Sequence, residues 1–340
     1  MSEMRFDPVG RSWVIIAPQR GERPADFLPM KRDEPDEPCP FCLAHTGGDS
    51  AAVVVARTEV AGDAVLVAPS RFPALRVEHT PRRRAVGPYD LVSGVGAHEV
   101  VVETSRHGVG LDELPEAHVA AVLRTWRDRV ADLMRDRRVH YVTVFKSSGP
   151  GAAATVAHSH SQVIATPVRP TRLADELVAA REHFFAKERC LACDVVGFEI
   201  ESRARIVEVT ARYAAFCPYA SRHPFEVQIY PREHGHDFTR LSDDGARELA
   251  GLLRRTLRRV SASLHGPDYN LGLHTAPSAS TYTRAHHDLD GMDLFWHWRL
   301  EVIPRIQRYG GLEITADVHI NPVAPEDAAA HLRSVDPEVA

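Results

Sequence analysis

A run of six residues from Ala157 to Gln162 places two histidines and a glutamine at alternate positions. The residues on either side of the run are mainly β-branched and aromatic, which is typical of a β-strand. Successive side chains of a strand face opposite ways, so His158, His160 and Gln162 would share one face, with neighbours about 6.5 to 7 Å apart. One imidazole could then bind a metal while the next reaches a substrate.

Four of the five cysteines form two Cys-x-x-Cys pairs, Cys39 with Cys42 and Cys190 with Cys193. In a reducing compartment such pairs are more often metal ligands or redox centres than disulfides. The first pair follows a loop rich in proline and acidic residues, which indicates a zinc knuckle rather than a thioredoxin-like motif. We interpret Cys217, the fifth cysteine, as a small buried apolar residue.

The order of these residues repeats along the chain, with a restart near residue 171. In each half a Cys pair comes first, a glutamate then precedes a histidine by eight residues, and a long amphipathic helix and a second histidine, which we place in an apolar strand, follow. The two ordered sets are Cys39, Cys42, His107 and His158, and Cys190, Cys193, His234 and His297. We therefore predict two related halves, 1–170 and 171–340.

Each set of two thiolates and two imidazoles suits zinc, and four protein ligands leave no open position for a metal-bound water. We therefore predict two structural zinc ions. His160 has no counterpart in the second half, where Arg299 stands two residues after His297. An imidazole that the metal does not require could act as a nucleophile or a general base. The turn 149–151 could bring backbone N–H groups to an anion.

The overall composition is typical of a globular protein. The chain has 340 residues, of which 44% are hydrophobic and 26% charged, and a net charge of -5, without the basic excess of a nucleic-acid-binding protein. Its N-terminus lacks the apolar core of a signal peptide, and no apolar run approaches membrane-spanning length. We expect a cytoplasmic protein with neither a nucleic acid nor a membrane as partner.

Taken together, these residues resemble the galactose-1-phosphate uridylyltransferase-like family of the histidine-triad (HIT) superfamily, including plant ADP-glucose phosphorylase. The resemblance runs nearly end to end, from Trp13 to the segment 310–323. It implies an α+β fold of two related HIT-like halves, each an antiparallel sheet flanked by helices, fused in one chain. It also implies a homodimer.

The resemblance implies nucleotidyl transfer in two displacements. His160 would attack the α-phosphorus of a nucleoside diphosphate sugar, release sugar 1-phosphate and carry the nucleoside monophosphate to a second phosphate acceptor. Gln162 would donate a hydrogen bond to a phosphoryl oxygen. The simplest assignment is a UDP-glucose:hexose-1-phosphate (galactose-1-phosphate) uridylyltransferase, and the nearest alternative is an ADP-glucose phosphorylase that uses inorganic phosphate.

Two further alternatives are a non-catalytic, zinc-stabilised nucleotide-binding protein and a hydrolase in which water reaches the intermediate. The intact His158-x-His160-x-Gln162 pattern argues against a pure binder, because binding needs no nucleophile.

Further substrate contacts are implied by the resemblance alone, and they are Arg20, Arg23, Ser147, Thr155, Ser161 and Glu313. The chain departs from the family pattern at two of these places. Ser147 stands where the family usually has asparagine, and residues 153–155 replace a Gly-Ala-Ser run. Both Ser147 and Thr155 keep a hydroxyl that can bind phosphate.

Overall fold

Ten strands form one antiparallel sheet in the computed structural model, which describes residues 2–22, 39–46, 54–78, 80–278 and 289–338. The described strands are β1 Glu3–Asp7, β2 Ser12–Ile16, β3 Ala56–Val60, β4 Asp63–Pro69, β5 Arg83–Val86, β6 Tyr89–Val92, β7 Ala97–Val102, β8 Tyr141–Ser148, β9 His160–Thr166, β10 Ile206–Val209, β11 Tyr213–Phe216, β12 Val227–Pro231, β13 Tyr269–His274, β14 Arg299–Pro304 and β15 His319–Asn321. The described helices are α1 Pro40–Thr46, α2 Glu116–Leu133, α3 Thr171–Lys187, α4 Leu191–Ser202, α5 Asp243–Leu264, α6 Met292–Phe295, α7 Gly311–Ala316 and α8 Pro325–Ser334.

The strand order of the large sheet is symmetric about its centre. It runs β10-β11-β12-β14-β13-β8-β9-β7-β4-β3, and all of its strand pairs are antiparallel. The two halves meet where β13 pairs with β8, and the remaining strands follow in matching positions on each side. The prediction of two related halves, each an antiparallel sheet flanked by helices, is confirmed.

Helices α2 and α5 cover one face of this sheet, where they form the main hydrophobic core with the strands. The side chains of β8 alternate accordingly, since Val142 and Val144 are fully buried while Thr143 and Phe145, which follow them in turn, stay partly exposed. The two amphipathic helices predicted from the sequence are present. Each large apolar side chain that is fully buried here contributes about 1.5–3 kcal/mol.

The opposite face of the sheet differs between the halves. On the C-terminal side α3 packs over it, and its Glu176 accepts a hydrogen bond from Arg299 of β14 at 2.7 Å. On the N-terminal side, Phe145 of β8 and Gln162 of β9 remain partly exposed on that face. The two halves therefore have the same strand order, but α3 covers this face of the sheet in the C-terminal half, whereas residues of β8 and β9 remain partly exposed on it in the N-terminal half.

The first two strands of the chain belong spatially to the C-terminal half. β1 pairs with β2, and β2 pairs in parallel with β15 near the other end of the chain. Val14 and Ile16 of β2 are buried against Ala220. Within the described ranges, none of the helices has the length and apolarity that crossing a bilayer requires.

The apolar run at 52–56 favours a strand, but β3 begins at Ala56 and residues 51–53 lie outside the described ranges. Residues 54 and 55 precede the strand, because the pairing with β4 starts where Ala56 meets Val67.

Candidate active site

The first Cys/His set converges just before β9. The Sγ atom of Cys42 lies 3.5 Å from Nδ1 of His107 and 3.4 Å from Nδ1 of His158, and the Sγ atom of Cys39 lies 3.6 Å from Nδ1 of His158. The four ligand atoms all lie within 4.8 Å of one another. A tetrahedral zinc ion with ordinary bond lengths would separate sulfur from nitrogen by roughly 3.5 Å, so this donor set fits the metal.

The second set has the same arrangement at the start of α4. The Sγ atom of Cys193 lies 3.3 Å from Nδ1 of His234 and 3.5 Å from Nδ1 of His297, and Cys190 completes a cluster whose ligand atoms lie within 4.8 Å of one another. Both predicted sets therefore form clusters that could hold a metal ion.

Hydrogen bonds to backbone carbonyls orient one histidine ring in each cluster, those of His158 and His234. Nε2 of His158 donates to the carbonyl oxygen of Thr104 at 2.7 Å, and Nε2 of His234 donates to that of Asp293 at 2.8 Å. Because a carbonyl oxygen can only accept, the proton lies on Nε2 and the lone pair lies on Nδ1, which faces the cysteines.

The expectation that His158 and His297 lie inside strands is wrong. β9 begins at His160 and β14 at Arg299, so each histidine precedes its strand by two residues. A ring nitrogen of each lies close to the cysteines of its cluster, in the segment that leads into the strand.

His160 lies at the first position of β9 and is buried, with 6% of its surface exposed. Its Nδ1 donates to the carbonyl oxygen of His158 at 2.9 Å, so its Nε2 carries the lone pair. Burial lowers the pKa of the His160 ring below its ordinary value. A lowered pKa favours the neutral ring, which is the form in which an imidazole can act as a nucleophile.

A buried ion pair that the sequence reasoning missed lies behind His160. The ammonium of Lys146 donates to the carboxylate of Glu103 at 2.7 Å, to the hydroxyl of Ser159 at 2.9 Å and to the backbone carbonyl of His160 at 3.2 Å. Lys146 is 2% exposed and Glu103 is 0% exposed. The feature of the sequence that could have revealed this ion pair is the lysine within the apolar run of β8.

A cleft of about 540 Å³ opens beside His160 and is lined by both halves of the chain. Ser147 and Thr155 line it, as do Leu257 and Val260 of α5. The amide of Asn270, on the neighbouring strand β13, donates to the hydroxyl oxygen of Ser147 at 3.1 Å. Asn270 was not predicted, because the pairing of β13 with β8 cannot be read from local sequence.

The turn 149–151 packs against Asp268 rather than offering its N–H groups to the cleft. Gly149 has φ of 83°, and a Cβ at this position would lie 1.7 Å from the Asp268 carboxylate. The N–H of Gly151 donates to that carboxylate, and those of residues 152–154 donate to carbonyl groups within the turn. These amides are therefore not available to an anion.

Three other predicted contacts lie away from the residues that line the cleft. The hydroxyl of Ser161 is fully buried and accepts a hydrogen bond from Trp126 of α2. The carboxylate of Glu313 accepts hydrogen bonds from the backbone of Gly310 and Ile320. Arg20 lies in the short 3-10 helix after β2.

Arg23 lies outside the described residues. Gln162, two residues after His160, receives a hydrogen bond from His98, another residue that the sequence reasoning missed.

The corresponding strand of the C-terminal half has no nucleophile. Arg299 and Glu301 of β14 stand where β9 has His160 and Gln162. Arg299 donates to Glu176, and Glu301 accepts from Arg172 of α3 at 2.9 Å. Of these two corresponding strands, only β9 carries a histidine at this position.

Two family profiles match this chain. The galactose-1-phosphate uridyl transferase N-terminal domain matches residues 1–170, and the C-terminal domain of the same family matches residues 176–339. The chain is 30% identical to ADP-glucose phosphorylase of Arabidopsis thaliana over 98% of this chain and 93% of that protein. It is 28% identical to galactose-1-phosphate uridylyltransferase of Thermotoga maritima over the full length of both.

Solved structures of an ADP-glucose phosphorylase and of a uridylyltransferase are similar to this chain in fold. The crystal structure of the Arabidopsis thaliana ADP-glucose phosphorylase with bound ADP-glucose superposes with a TM-score of 0.82 at 28% identity and covers 99% of this chain and 100% of that one. A uridylyltransferase structure superposes with a TM-score of 0.73 at 26% identity over 98% of each chain. The chain is an enzyme of the nucleotidyltransferase type. It belongs to the galactose-1-phosphate uridyl transferase family, as the sequence resemblance predicted.

Proposed function

We propose that the protein moves a nucleoside monophosphate from a nucleoside diphosphate sugar to a phosphate acceptor through a covalent bond to His160. One observation carries this proposal. The neutral His160 ring lines the cleft and has its Nδ1 proton bound to the His158 carbonyl, so Nε2 is left as the nucleophile.

In the first step Nε2 of His160 attacks the α-phosphorus, and the bond from that phosphorus to the oxygen bridging the two phosphates breaks. Sugar 1-phosphate leaves with the electron pair of this bond. The positive charge that develops on the ring is stabilised by the Nδ1–H hydrogen bond to the His158 carbonyl. In the second step an acceptor oxygen attacks the same phosphorus, and the phosphorus–nitrogen bond breaks to restore the neutral ring.

The proposed substrate contacts differ in the observations that support them. Ser147 and Thr155 line the same cleft as His160, and their hydroxyls are proposed to donate to phosphoryl oxygens. Gln162 is not among the described residues that line the cleft, and its proposed contact rests on the family resemblance and on its position two residues after His160 in β9. Contacts from Arg20, Arg23, Ser161 and Glu313 rest on the family resemblance and on no described contact with the cleft.

UDP-glucose and a hexose 1-phosphate such as galactose 1-phosphate are the donor and acceptor that the family assignment supports. The uridylyltransferase of Thermotoga maritima aligns over the full length of both chains. ADP-glucose with inorganic phosphate is the second candidate, because the plant ADP-glucose phosphorylase is 30% identical and its structure with ADP-glucose superposes closely.

Both Cys/His clusters are proposed to hold structural zinc. A zinc ion with four protein ligands would cross-link distant segments of its half and stabilise the fold. The steps proposed above use only the side chains of the chain itself.

A cytoplasmic homodimer is the proposed working state. Free thiols paired as metal ligands suit a reducing compartment. Arg20 and Glu313 do not line the cleft of their own chain, so in the proposed homodimer a second copy would supply such contacts.

The proposal is tested by incubating the zinc-replete protein separately with UDP-glucose and ADP-glucose, without acceptor, and measuring its intact mass. We expect a uridylyl adduct that disappears when galactose 1-phosphate is added. An adenylyl adduct removed by inorganic phosphate would select the second candidate. The His160→Ala variant serves as the control and should bind zinc normally while forming no adduct.

Other results would point to the alternatives. Binding of either nucleotide sugar without an adduct would indicate a nucleotide-binding protein. An adduct that decays in buffer as fast as with acceptor would indicate a hydrolase. Normal turnover by His160→Ala would overturn the mechanism.

A further inference from the structure

The side chain of His98 connects a surface loop to Gln162. His98 lies on β7, next to β9, and one of its ring nitrogens, Nε2, lies 2.8 Å from Oε1 of Gln162. Its other ring nitrogen, Nδ1, lies 3.1 Å from the backbone nitrogen of Ala74. His98 is partly exposed and lies outside both Cys/His clusters.

The contact with Ala74 determines where the proton of His98 lies. A backbone N–H can only donate, so Nδ1 must accept and cannot carry a proton. The ring is then neutral with its single proton on Nε2. This conclusion does not depend on how the amide of Gln162 is oriented.

The position of that proton in turn fixes the amide of Gln162. Because Nε2 of His98 donates, the Gln162 atom at 2.8 Å must be the carbonyl oxygen. The NH₂ group of Gln162 is therefore directed away from His98. Among the described residues this NH₂ group has no hydrogen-bond acceptor, so its two N–H bonds are available to a ligand.

We propose that His98 is a positioning residue that holds the Gln162 amide with its NH₂ group toward the transferring phosphoryl group. This inference rests on the proposed function, in which Gln162 donates to a phosphoryl oxygen. Without the His98 donor, the amide can turn by half a rotation and present its oxygen, which repels an anionic phosphoryl oxygen.

Three variants of His98 and Gln162 test the role. His98→Leu removes both hydrogen bonds, whereas His98→Gln keeps an N–H that can reach Gln162 and an oxygen that can accept from Ala74. Gln162→Ala removes the amide itself. The measured quantities are the single-turnover rate of adduct formation at saturating nucleotide sugar and the dissociation constant of that sugar.

We expect Gln162→Ala to slow adduct formation about 10²- to 10³-fold, as loss of one transition-state donor does. His98→Leu should slow it roughly tenfold or more with little change in the dissociation constant. His98→Gln should stay within about threefold of the wild-type rate. In the Gln162→Ala background, His98→Leu should have almost no further effect, because the two residues act as a unit.

Two outcomes would overturn the role of His98. One is a His98→Leu rate equal to wild type. The other is an equal loss in the wild-type and Gln162→Ala backgrounds, which would mean that His98 only holds the loop around Ala74.

A spectroscopic measurement separates this inference from the proposed function. Nitrogen-15 NMR of histidine-labelled protein, with the His98 signal assigned by comparison with His98→Gln, reports which ring nitrogen carries the proton. We expect a neutral ring protonated on Nε2. A proton on Nδ1 would refute the positioning role even if the His160 adduct forms. Absence of the adduct with an Nε2-protonated His98 would instead refute the proposed function and leave the orientation of Gln162 established.

Discussion

Two histidines only two residues apart hold their protons on opposite ring nitrogens. His158 donates from Nε2 to Thr104 and presents Nδ1 to the cysteines, whereas His160 donates from Nδ1 to the His158 carbonyl and keeps its lone pair on Nε2. Backbone carbonyl groups thus direct the lone pair of one ring to the Cys/His cluster and leave that of the other on Nε2 for the proposed attack on phosphorus.

This division of roles predicts different effects for the two histidines. His158→Ala should lower bound zinc from about two ions per chain to about one and lower the melting temperature, because a structural zinc site contributes folding free energy. Metal analysis and calorimetry on freshly purified protein measure both. His160→Ala is the matched control and should keep both ions; full zinc content in His158→Ala would contradict the ligand assignment.

The ion pair behind His160 gives a second prediction at this scale. Lys146→Met leaves the buried Glu103 carboxylate without its cation and should cost about 3–5 kcal/mol of unfolding free energy, measured by urea denaturation. Combining it with Glu103→Leu should restore most of that loss, because the pair is then replaced rather than broken. A double variant as unstable as Lys146→Met would show that the ammonium bonds to Ser159 and His160 matter more.

At the scale of elements, short connections rather than strand interiors position the residues around the cleft. The turn at Gly149 follows β8, which ends at Ser148 next to Ser147, and leads toward Thr155. The N–H of Gly151 in this turn donates a hydrogen bond to the carboxylate of Asp268, which lies just before β13. One turn therefore ties a cleft-lining segment of the first half to the second half.

Replacement of Gly149 tests the contact between this turn and Asp268. Gly149→Ala should lower stability and transfer rate together, because its φ of 83° disfavours a side chain and the new Cβ collides with Asp268. Gly87→Ala is the matched control, since Gly87 has φ of 60° with open space around it and should lose only about 1–2 kcal/mol from backbone strain. Equal losses in the two variants would show that the contact with Asp268 does not matter.

At the scale of the whole molecule, a nearly symmetric sheet carries an asymmetric set of chemical groups. The strand order is the same on both sides of the β13–β8 pair. Within the described residues, α3 covers a face of β14 on one side only, and its Glu176 and Arg172 form ion pairs with Arg299 and Glu301 of that strand. Burial works to raise the pKa of Glu176, but the charges of Arg299, His274 of β13 and Arg172, together with the hydrogen bond from Arg299, outweigh it and lower that pKa to about 2. Glu176 is therefore ionised throughout the neutral range.

These ion pairs make stability depend on acid pH. Since the folded pKa of Glu176 lies below its ordinary value of 4.5, its contribution is present above pH 4.5 and is lost as pH falls toward about 2. Glu176→Gln should cost roughly 3 kcal/mol at neutral pH and flatten this part of the stability curve, measured by denaturation at each pH.

The matched control for this prediction is Glu182→Gln on the same helix. Glu182 is 65% exposed and pairs with Arg11 at the surface, so its loss should change little at any pH. Acid release of metal affects all three proteins alike, so the comparison isolates Glu176. Parallel curves for wild type and Glu176→Gln would contradict the prediction.

The sequence by itself determined the features that depend on local spacing and on residue type. Cys-x-x-Cys pairs and their histidines stand in the same order in both halves, and the structure brings each set within ligand distance. The helical periodicity of α2 and α5 placed these elements, because an amphipathic helix carries its burial pattern in its own sequence. His160 was separable from the metal ligands because the second half has no histidine in its place.

Only the tertiary structure decided how these residues are oriented and what supports them. His98 and Gln162 are 64 residues apart, and Asn270 and Ser147 are 123 apart, so no local pattern relates them. The pairing of β2 with β15, the covering of β14 by α3 and the tautomer of His158 likewise arise from contacts between distant segments. The physical reason is that residue type sets what a group can donate or accept, whereas its actual partner is set by packing.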